Sequence, residues 1–189
     1  MHTPNNIASP IIRTSRTDLV MLSAEDAPLI RDYYQLNQAH LSPWEPIRDD
    51  SFYSLEHWRQ QLADNAIQYQ NGSALKLVAL DKHTKEIIAI CNFTNIVRGI
   101  FQACNLGYSV SARYQAQGYM HEVLSAALDY VFNELDLHRV MANYMTHNQR
   151  SARLLKRLGF EEEGLAKSYL HIAGNWQDHV LTAKINDAH

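Results

Sequence analysis

Leu106-Gly107-Tyr108-Ser109-Val110, followed two residues on by Arg113-Tyr114-Gln115-Ala116-Gln117-Gly118-Tyr119-Met120, decides how this chain folds. A short apolar strand runs into a small, polar turn. Apolar residues then recur at Met120, Val123, Leu124, Ala127, Leu128, Val131 and Leu135, the period of a helix with one buried face. Such a junction aims several successive backbone N–H groups, and the positive end of the helix, at one point in space. That arrangement holds a diphosphate without any lysine. Ser109 and Val110 at the strand end, with Gln115, Ala116, Gln117, Gly118, Tyr119 and Met120 in the turn, are the candidate site for a phosphorylated cofactor.

Working outward, residues 75–80 and 86–93 read as two strands joined by the polar turn Asp81-Lys82-His83-Thr84, a hairpin whose neighbour is the strand over 104–110. Beyond the central helix come a strand over 138–144 and a helix over 148–158 ended by Gly159. Two further strands, 166–172 and 176–183, turn at Ala173-Gly174-Asn175. Upstream, a strand over 19–22 precedes a helix that Ser23 and Asp26 open and that continues to Leu36. The prolines of Ser42-Pro43-Trp44-Glu45-Pro46 demand a loop, and a second helix covers 55–69. The order predicts an α/β (α+β) domain over residues 1–189. It has one mixed, mostly antiparallel sheet of about six to seven strands and about four flanking helices. Residues 1–16 are expected to be irregular.

A formal charge of −3, from 17 Lys and Arg against 20 Asp and Glu, argues against bulk binding to DNA. No segment approaches the ~20 apolar residues that span a bilayer. Residues 1–10 have neither a basic cluster nor an apolar run, so no secretory signal is expected. The two cysteines, Cys91 and Cys104, are too few for a secreted scaffold and suit a reducing compartment, so the cytoplasm is the expected location. The ten histidines show no HExxH spacing and neither cysteine has a CxxC partner, so no metal is expected. No nucleophile elbow, Walker turn or complete dinucleotide fingerprint is present.

The turn and a second block, Asn148-Gln149-Arg150-Ser151 leading to Leu158-Gly159-Phe160, together resemble the GNAT superfamily of acetyl-CoA-dependent N-acetyltransferases. That family carries Arg/Gln-x-x-Gly-x-Gly/Ala between a strand and a helix. Arg113, Ala116 and Gly118 hold those places here, with alanine replacing the first glycine, a change that costs little if φ is negative there. Four further strings resemble the bacterial ribosomal-protein-alanine N-acetyltransferases of the RimJ type. They are Pro43-Trp44-Glu45-Pro46, the run from Asn92 to Gly99, the run from Met141 to Asn148, and the run from Trp176 to Ala183. The resemblance implies a GNAT fold, acetyl-CoA as co-substrate, and acetylation of the N-terminal alanine of a ribosomal protein. Some members of this type also assist ribosome assembly, which would make the small ribosomal subunit a further partner. A small-molecule acetyltransferase and an assembly factor with dispensable catalysis are the competing readings.

The chemistry asks for little base assistance, because an α-amine with a pKa of about 7.7–8.0 is partly neutral near pH 7. Positioning, oxyanion stabilisation and protonation of the departing thiolate remain to be supplied. By analogy with the family, Ser151 protonates the thiolate; its alternative role is to satisfy backbone groups in the first helical turn. Asn148 either caps that helix or, as in relatives, holds the pantetheine arm. Glu45, in a loop that would overhang the cleft, is the candidate base, although loop carboxylates are commonly just solvated. Glu122, Asp178 and His179 are other titratable residues in range. The resemblance places Trp44, Asn92, Phe93 and Asn95 in the substrate pocket; otherwise Phe93 is core and the asparagines end a strand. Arg150, Arg153 and Arg157 form a basic helix face, either solvated or reaching the cofactor's nucleotide end or ribosomal RNA.

Overall fold

The computed structural model describes residues 9–188. Nine strands form one sheet: β1 (Ile12–Arg13), β2 (Thr17–Val20), β3 (Leu75–Asp81), β4 (Ile87–Val97), β5 (Ala103–Val110), β6 (Arg139–Met141), β7 (Tyr144–Met145), β8 (Glu161–Ile172) and β9 (Asn175–Ile185). Their spatial order is β1-β2-β3-β4-β5-β6-β9-β7, with β8 on the other edge of β9. Every pairing is antiparallel except β5 with β6. A parallel neighbour needs a crossover, and the helix predicted after Gly118 supplies it. Among the described residues five α-helices flank the sheet: α1 (Ala27–Leu36), α2 (Gln38–Leu41), α3 (Leu55–Gln70), α4 (Tyr119–Asn133) and α5 (Gln149–Arg157).

Local chemistry sets several boundaries. The Ser54 hydroxyl accepts from the His57 N–H at the start of α3. The Asp81 carboxylate accepts from the N–H groups of His83 and Thr84 and so shapes the β3–β4 turn. The expected single helix from Ser23 splits: a 3-10 turn over Ala24–Asp26 precedes α1, and α2 follows Asn37 as one extra turn. The expected strand over 138–144 is broken in two, because Ala142 and Asn143 turn to hold Thr182 of β9, by the Ala142 carbonyl and the Asn143 side chain. Residues 1–8 of the expected irregular N-terminal segment lie outside the described residues. Ile12 and Arg13 nevertheless pair with β2, which adds a strand to the expected count.

The sheet divides the interior. On one face α4 and α5 bury Val123, Leu124, Ala127, Leu128, Val131, Leu155 and Leu158 against Leu75, Leu77, Phe93 and Leu106. On the other, α1 and α3 bury Ala27, Ile30, Tyr33, Trp58 and Leu62 against Val78, Leu80 and Ile90. Each fully buried aliphatic side chain contributes about 1.5–3 kcal/mol, so α4 is anchored firmly enough to impose unfavourable geometry on the turn that precedes it.

Candidate active site

β5 and β6 are paired only over Ala103–Arg139, Cys104–Val140 and Asn105–Met141. Beyond Asn105 the two strands diverge, while β5 continues to Val110 against β4. The Ser111 N–H bonds the Ile88 carbonyl. By the alternation of antiparallel ladders, Ser109 and Gly107 also turn their peptide groups towards β4, and Leu106, Tyr108 and Val110 turn theirs into the opening. The gap therefore carries unpaired backbone groups along one wall, apart from the Val110 carbonyl, which His40 engages, and these suit pairing with an extended amide-containing chain.

The turn stands at the mouth of this gap. Among the described residues, the backbone N–H groups of Ala116, Gln117, Gly118, Tyr119 and Met120 find no acceptor within the chain. These five successive donors open α4 and fit a diphosphate. Gly118 has φ +80° and Ala116 has φ +58°. The alanine in place of the family's glycine is therefore not neutral: it occupies the left-handed region, where an L side chain costs about 1–2 kcal/mol. Packing from several elements holds the turn there. Asn37 accepts from the Ala112 N–H at 2.8 Å. Arg150 donates to the side-chain Oε1 of Gln115 at 2.6 Å, the Gln115 amide nitrogen lies 2.5 Å from His40 Nε2 and 3.0 Å from Nδ1, and Nε2 is 3.2 Å from the Val110 carbonyl oxygen. Of the basic face on α5, Arg150 thus reaches the turn. Arg113 instead pairs with Glu86 at 3.0 Å.

Side-chain alternation along β5 gives the gap two different faces. Tyr108 points towards α4 and α5, where its hydroxyl meets that of Ser151. Asn148 caps α5 by accepting from the Ser151 N–H, so the cap orients the serine. Burial pushes the Tyr108 phenol up to about 12, so it stays protonated and can keep donating. Tyr108 was not singled out in the sequence; the signal was a tyrosine on the helix-facing register of the strand that enters the turn. On the opposite face lie Gly107, Ser109 and Asn92. The Ser109 hydroxyl bonds that of Tyr33 at 2.9 Å, and open space lies where a Gly107 side chain would stand.

The loop after α2 lies between α1 and the β8–β9 turn. Trp44 stacks on His147 with ring centroids 5.5 Å apart, and the Glu45 carbonyl accepts from the Ala173 N–H at 2.9 Å. Gly174 sits against this loop at φ +80°, where a side chain would also press within 3.1 Å of the Ile47 methyl. Beneath is a cavity of about 360 Å³ lined by Tyr34, Gln38, Ser42, Glu45 and Arg48 among others. Burial raises the pKa of Glu45, against the lowering pull of Arg48 3.7 Å away. A carboxyl so shifted accepts a proton more readily than a solvated one, which fits the candidate base.

Two expected pocket residues do not belong here. Phe93 is wholly buried in the α4-side core, on the face opposite Asn92, because neighbouring residues of a strand point to opposite sides. Asn95 is exposed at φ +52°, where the β4–β5 register shifts between Thr94 and Val97, three residues beyond Asn92. The other titratable candidates have structural roles. Glu122 accepts from Ser15 and from the backbone and guanidinium of Arg16. Asp178 accepts from the Ser168 N–H, and buried His179 bonds the Gln177 carbonyl.

Comparison with known proteins agrees with this geometry. A family model described as Acetyltransferase (GNAT) domain matches residues 16–161. The chain is 45% identical over 179 residues to the [ribosomal protein uS5]-alanine N-acetyltransferase of Escherichia coli, covering 95% of this chain and 92% of that one. The crystal structure of ribosomal-protein-S5-alanine acetyltransferase from Vibrio fischeri superposes with TM-score 0.89 at 38% identity, over 93% of this chain and 96% of the other. Mycobacterium smegmatis RimJ, solved in complex with CoA-disulfide, superposes with TM-score 0.87 at 26% identity, over 94% and 88%. The single sheet with one parallel step, the strand–turn–helix junction and these matches place the chain in the GNAT acetyltransferase family, as an acetyl-CoA-dependent N-acetyltransferase.

Proposed function

We propose that this protein transfers the acetyl group of acetyl-CoA to the N-terminal α-amine of a ribosomal protein that begins with alanine. The observation that carries this is the cavity beside Glu45, formed by α1, the loop after α2 and the β8–β9 turn, in a chain 45% identical to an enzyme named for that substrate. The N–H groups of Ala116 to Met120 hold the pyrophosphate. The peptide groups of Leu106, Tyr108 and Val110 align the pantetheine arm, with Asn148 beside it. The acceptor amine enters from the Glu45 side, beneath Trp44.

Amine and thioester then meet from opposite faces of β5. Glu45 takes the proton that the attacking amine sheds, directly or through water, and the burial that raises its pKa makes it a readier acceptor than a solvated carboxylate. On the other face Ser151 and Tyr108 direct a hydroxyl at the sulfur, where negative charge develops as the C–S bond breaks. Holding both reactants in register supplies the remainder of the rate gain. Near neutral pH the uncharged fraction of an α-amine far exceeds that of a lysine side chain, which favours acetylation at the N-terminus.

The test is tandem mass spectrometry of peptides differing only in their first residue, each with an internal lysine. We expect label on the α-amine and rates highest for alanine. Label mainly on lysine, or equal rates for alanine and tryptophan starts, would overturn the assignment and favour a small-molecule acceptor.

A further inference from the structure

A second cavity, of about 240 Å³, lies beside the acceptor face, between α1, α3 and strands β2 to β4. It shares Tyr34 and Arg48 with the cavity beside Glu45, so the two adjoin. An aromatic wall of Tyr34, Phe52 and Trp58 lines it, with Tyr34 and Trp58 stacked 5.0 Å apart. Trp58 is only 6% exposed, and among the described residues its Nε1–H has no acceptor. That nitrogen has essentially no exposed surface, so the indole belongs to the aromatic wall and senses what fills the cavity.

The charges of the cavity point to the kind of group that fills it. Its lining includes the cations Lys76 and Arg48 and no aspartate or glutamate. Lys76 Nζ spends one of its three donors on Asn65 Oδ1 at 2.9 Å. Its pKa is pulled down by burial, with Asp64 acting in the opposite sense, so an incoming anion would stabilise the ammonium further. Lys76, Asn92 and Gly107 are register partners on β3, β4 and β5 and rise from one face of the sheet. Two strand spacings put Lys76 about 10 Å from Gly107. An extended peptide advances about 3.3 Å per residue, so the third residue of an acceptor whose amine lies over Gly107 ends about 7 Å along this row. The side chains of Lys76 and of the acceptor close the remaining distance.

We propose that this cavity is a specificity subsite for a carboxylate side chain on the second or third residue of the acceptor, received by the Lys76 ammonium against the aromatic wall. The proposal rests on the acceptor being a polypeptide amine, as argued above. It gives the enzyme a way to tell its own substrate from other chains that begin with alanine, which the first-residue pocket alone cannot do.

Alanine-initiated peptides carrying glutamate or glutamine at the second or third position test it. Wild-type protein should favour glutamate at one of these positions by about tenfold or more in kcat/KM, mostly through KM, the size expected of a desolvated charge-assisted hydrogen bond. Lys76→Met should bring that ratio close to one. Equal rates for the two peptides in wild-type protein, or a ratio unchanged by Lys76→Met, would overturn the subsite. A readout independent of turnover is the Trp58 indole N–H resonance in nitrogen-15-labelled protein. It can be assigned by its loss in Trp58→Phe or, if that variant does not fold, by elimination with Trp44→Phe and Trp176→Phe, since the chain has three tryptophans. The N-acetylated glutamate peptide should move it and the glutamine peptide should not. If no alanine peptide is turned over, the substrate reading fails while the indole resonance still decides the subsite: a resonance unmoved by the glutamate peptide overturns it.

Discussion

Replacing Ala116 by glycine should stabilise the protein, whereas replacing Gly118 by alanine, two residues on in the same turn, should destabilise it. Both positions hold positive φ, +58° and +80°. At Ala116 the left-handed backbone costs about 1–2 kcal/mol, and glycine removes that strain. Glycine also loosens the unfolded chain, which takes back about 0.4–1 kcal/mol. The net gain is about 0.5–1 kcal/mol, a rise in Tm of roughly 2–3 °C for a domain of this size. The reverse arithmetic applies to Gly118→Ala. Its new Cβ would lie 3.6 Å from Arg16 Nη2, an ordinary contact, so the backbone term decides the loss. Because the same backbone aims the free N–H groups, Gly118→Ala should also weaken CoA binding. Calorimetry on the three proteins gives both Tm and Kd. A Tm lowered by Ala116→Gly would refute the reasoning, since it would mean that residue 116 is not held at positive φ in solution.

Ser151→Ala and Tyr108→Phe should each lower kcat roughly 10²-fold with little change in KM for acetyl-CoA, and the double variant should lose much less than the product, because the two hydroxyls act as one unit. Steady-state kinetics with a thermal melt would instead assign Ser151 a structural role if kcat held and Tm fell. For Glu122, the raising effect of burial is outweighed by hydrogen bonds from Thr14, Arg16 and Ser15, which hold its carboxyl down to about 2 from 4.5. A depressed folded-state pKa contributes stability that is complete above about 4.5 and lost as pH falls towards 2. Glu122→Gln should therefore lower Tm at pH 7 and flatten its decline between those values; a parallel acid limb would disprove the clamp. Burial pushes both Cys91 and Cys104 up to about 12, so native protein at pH 8 should leave a thiol reagent unreacted and denatured protein should titrate two thiols.

How much could be read before folding differs between the two halves of the site. The cofactor turn is contiguous and made of backbone. Apolar spacing located α4, and the small residues before it marked where the N–H groups would gather, since strand, turn and helix signals act over a few residues. Asn148 was legible as a cap for the same reason. Phe93 and Asn95 were not, because a face assignment depends on strand register, and one residue of offset or one bulge reverses it. Lys76 within Leu75-Lys76-Leu77-Val78 was a cation in an apolar strand, a cue that its sheet face meets something polar.

By itself the sequence determined the order of elements, the central strand–turn–helix and the diphosphate-binding backbone at its junction. Only the tertiary structure decided the positive φ of Ala116, the meeting of Tyr108 with Ser151, and the acceptor face assembled from α1, the Trp44 loop, α3, β3, β4 and the β8–β9 turn. The physical reason is range. Hydrogen bonds and periodicity within a few residues are written locally, whereas a cavity exists only where register and packing bring together side chains more than a hundred positions apart, as Glu45 and Ala173 are.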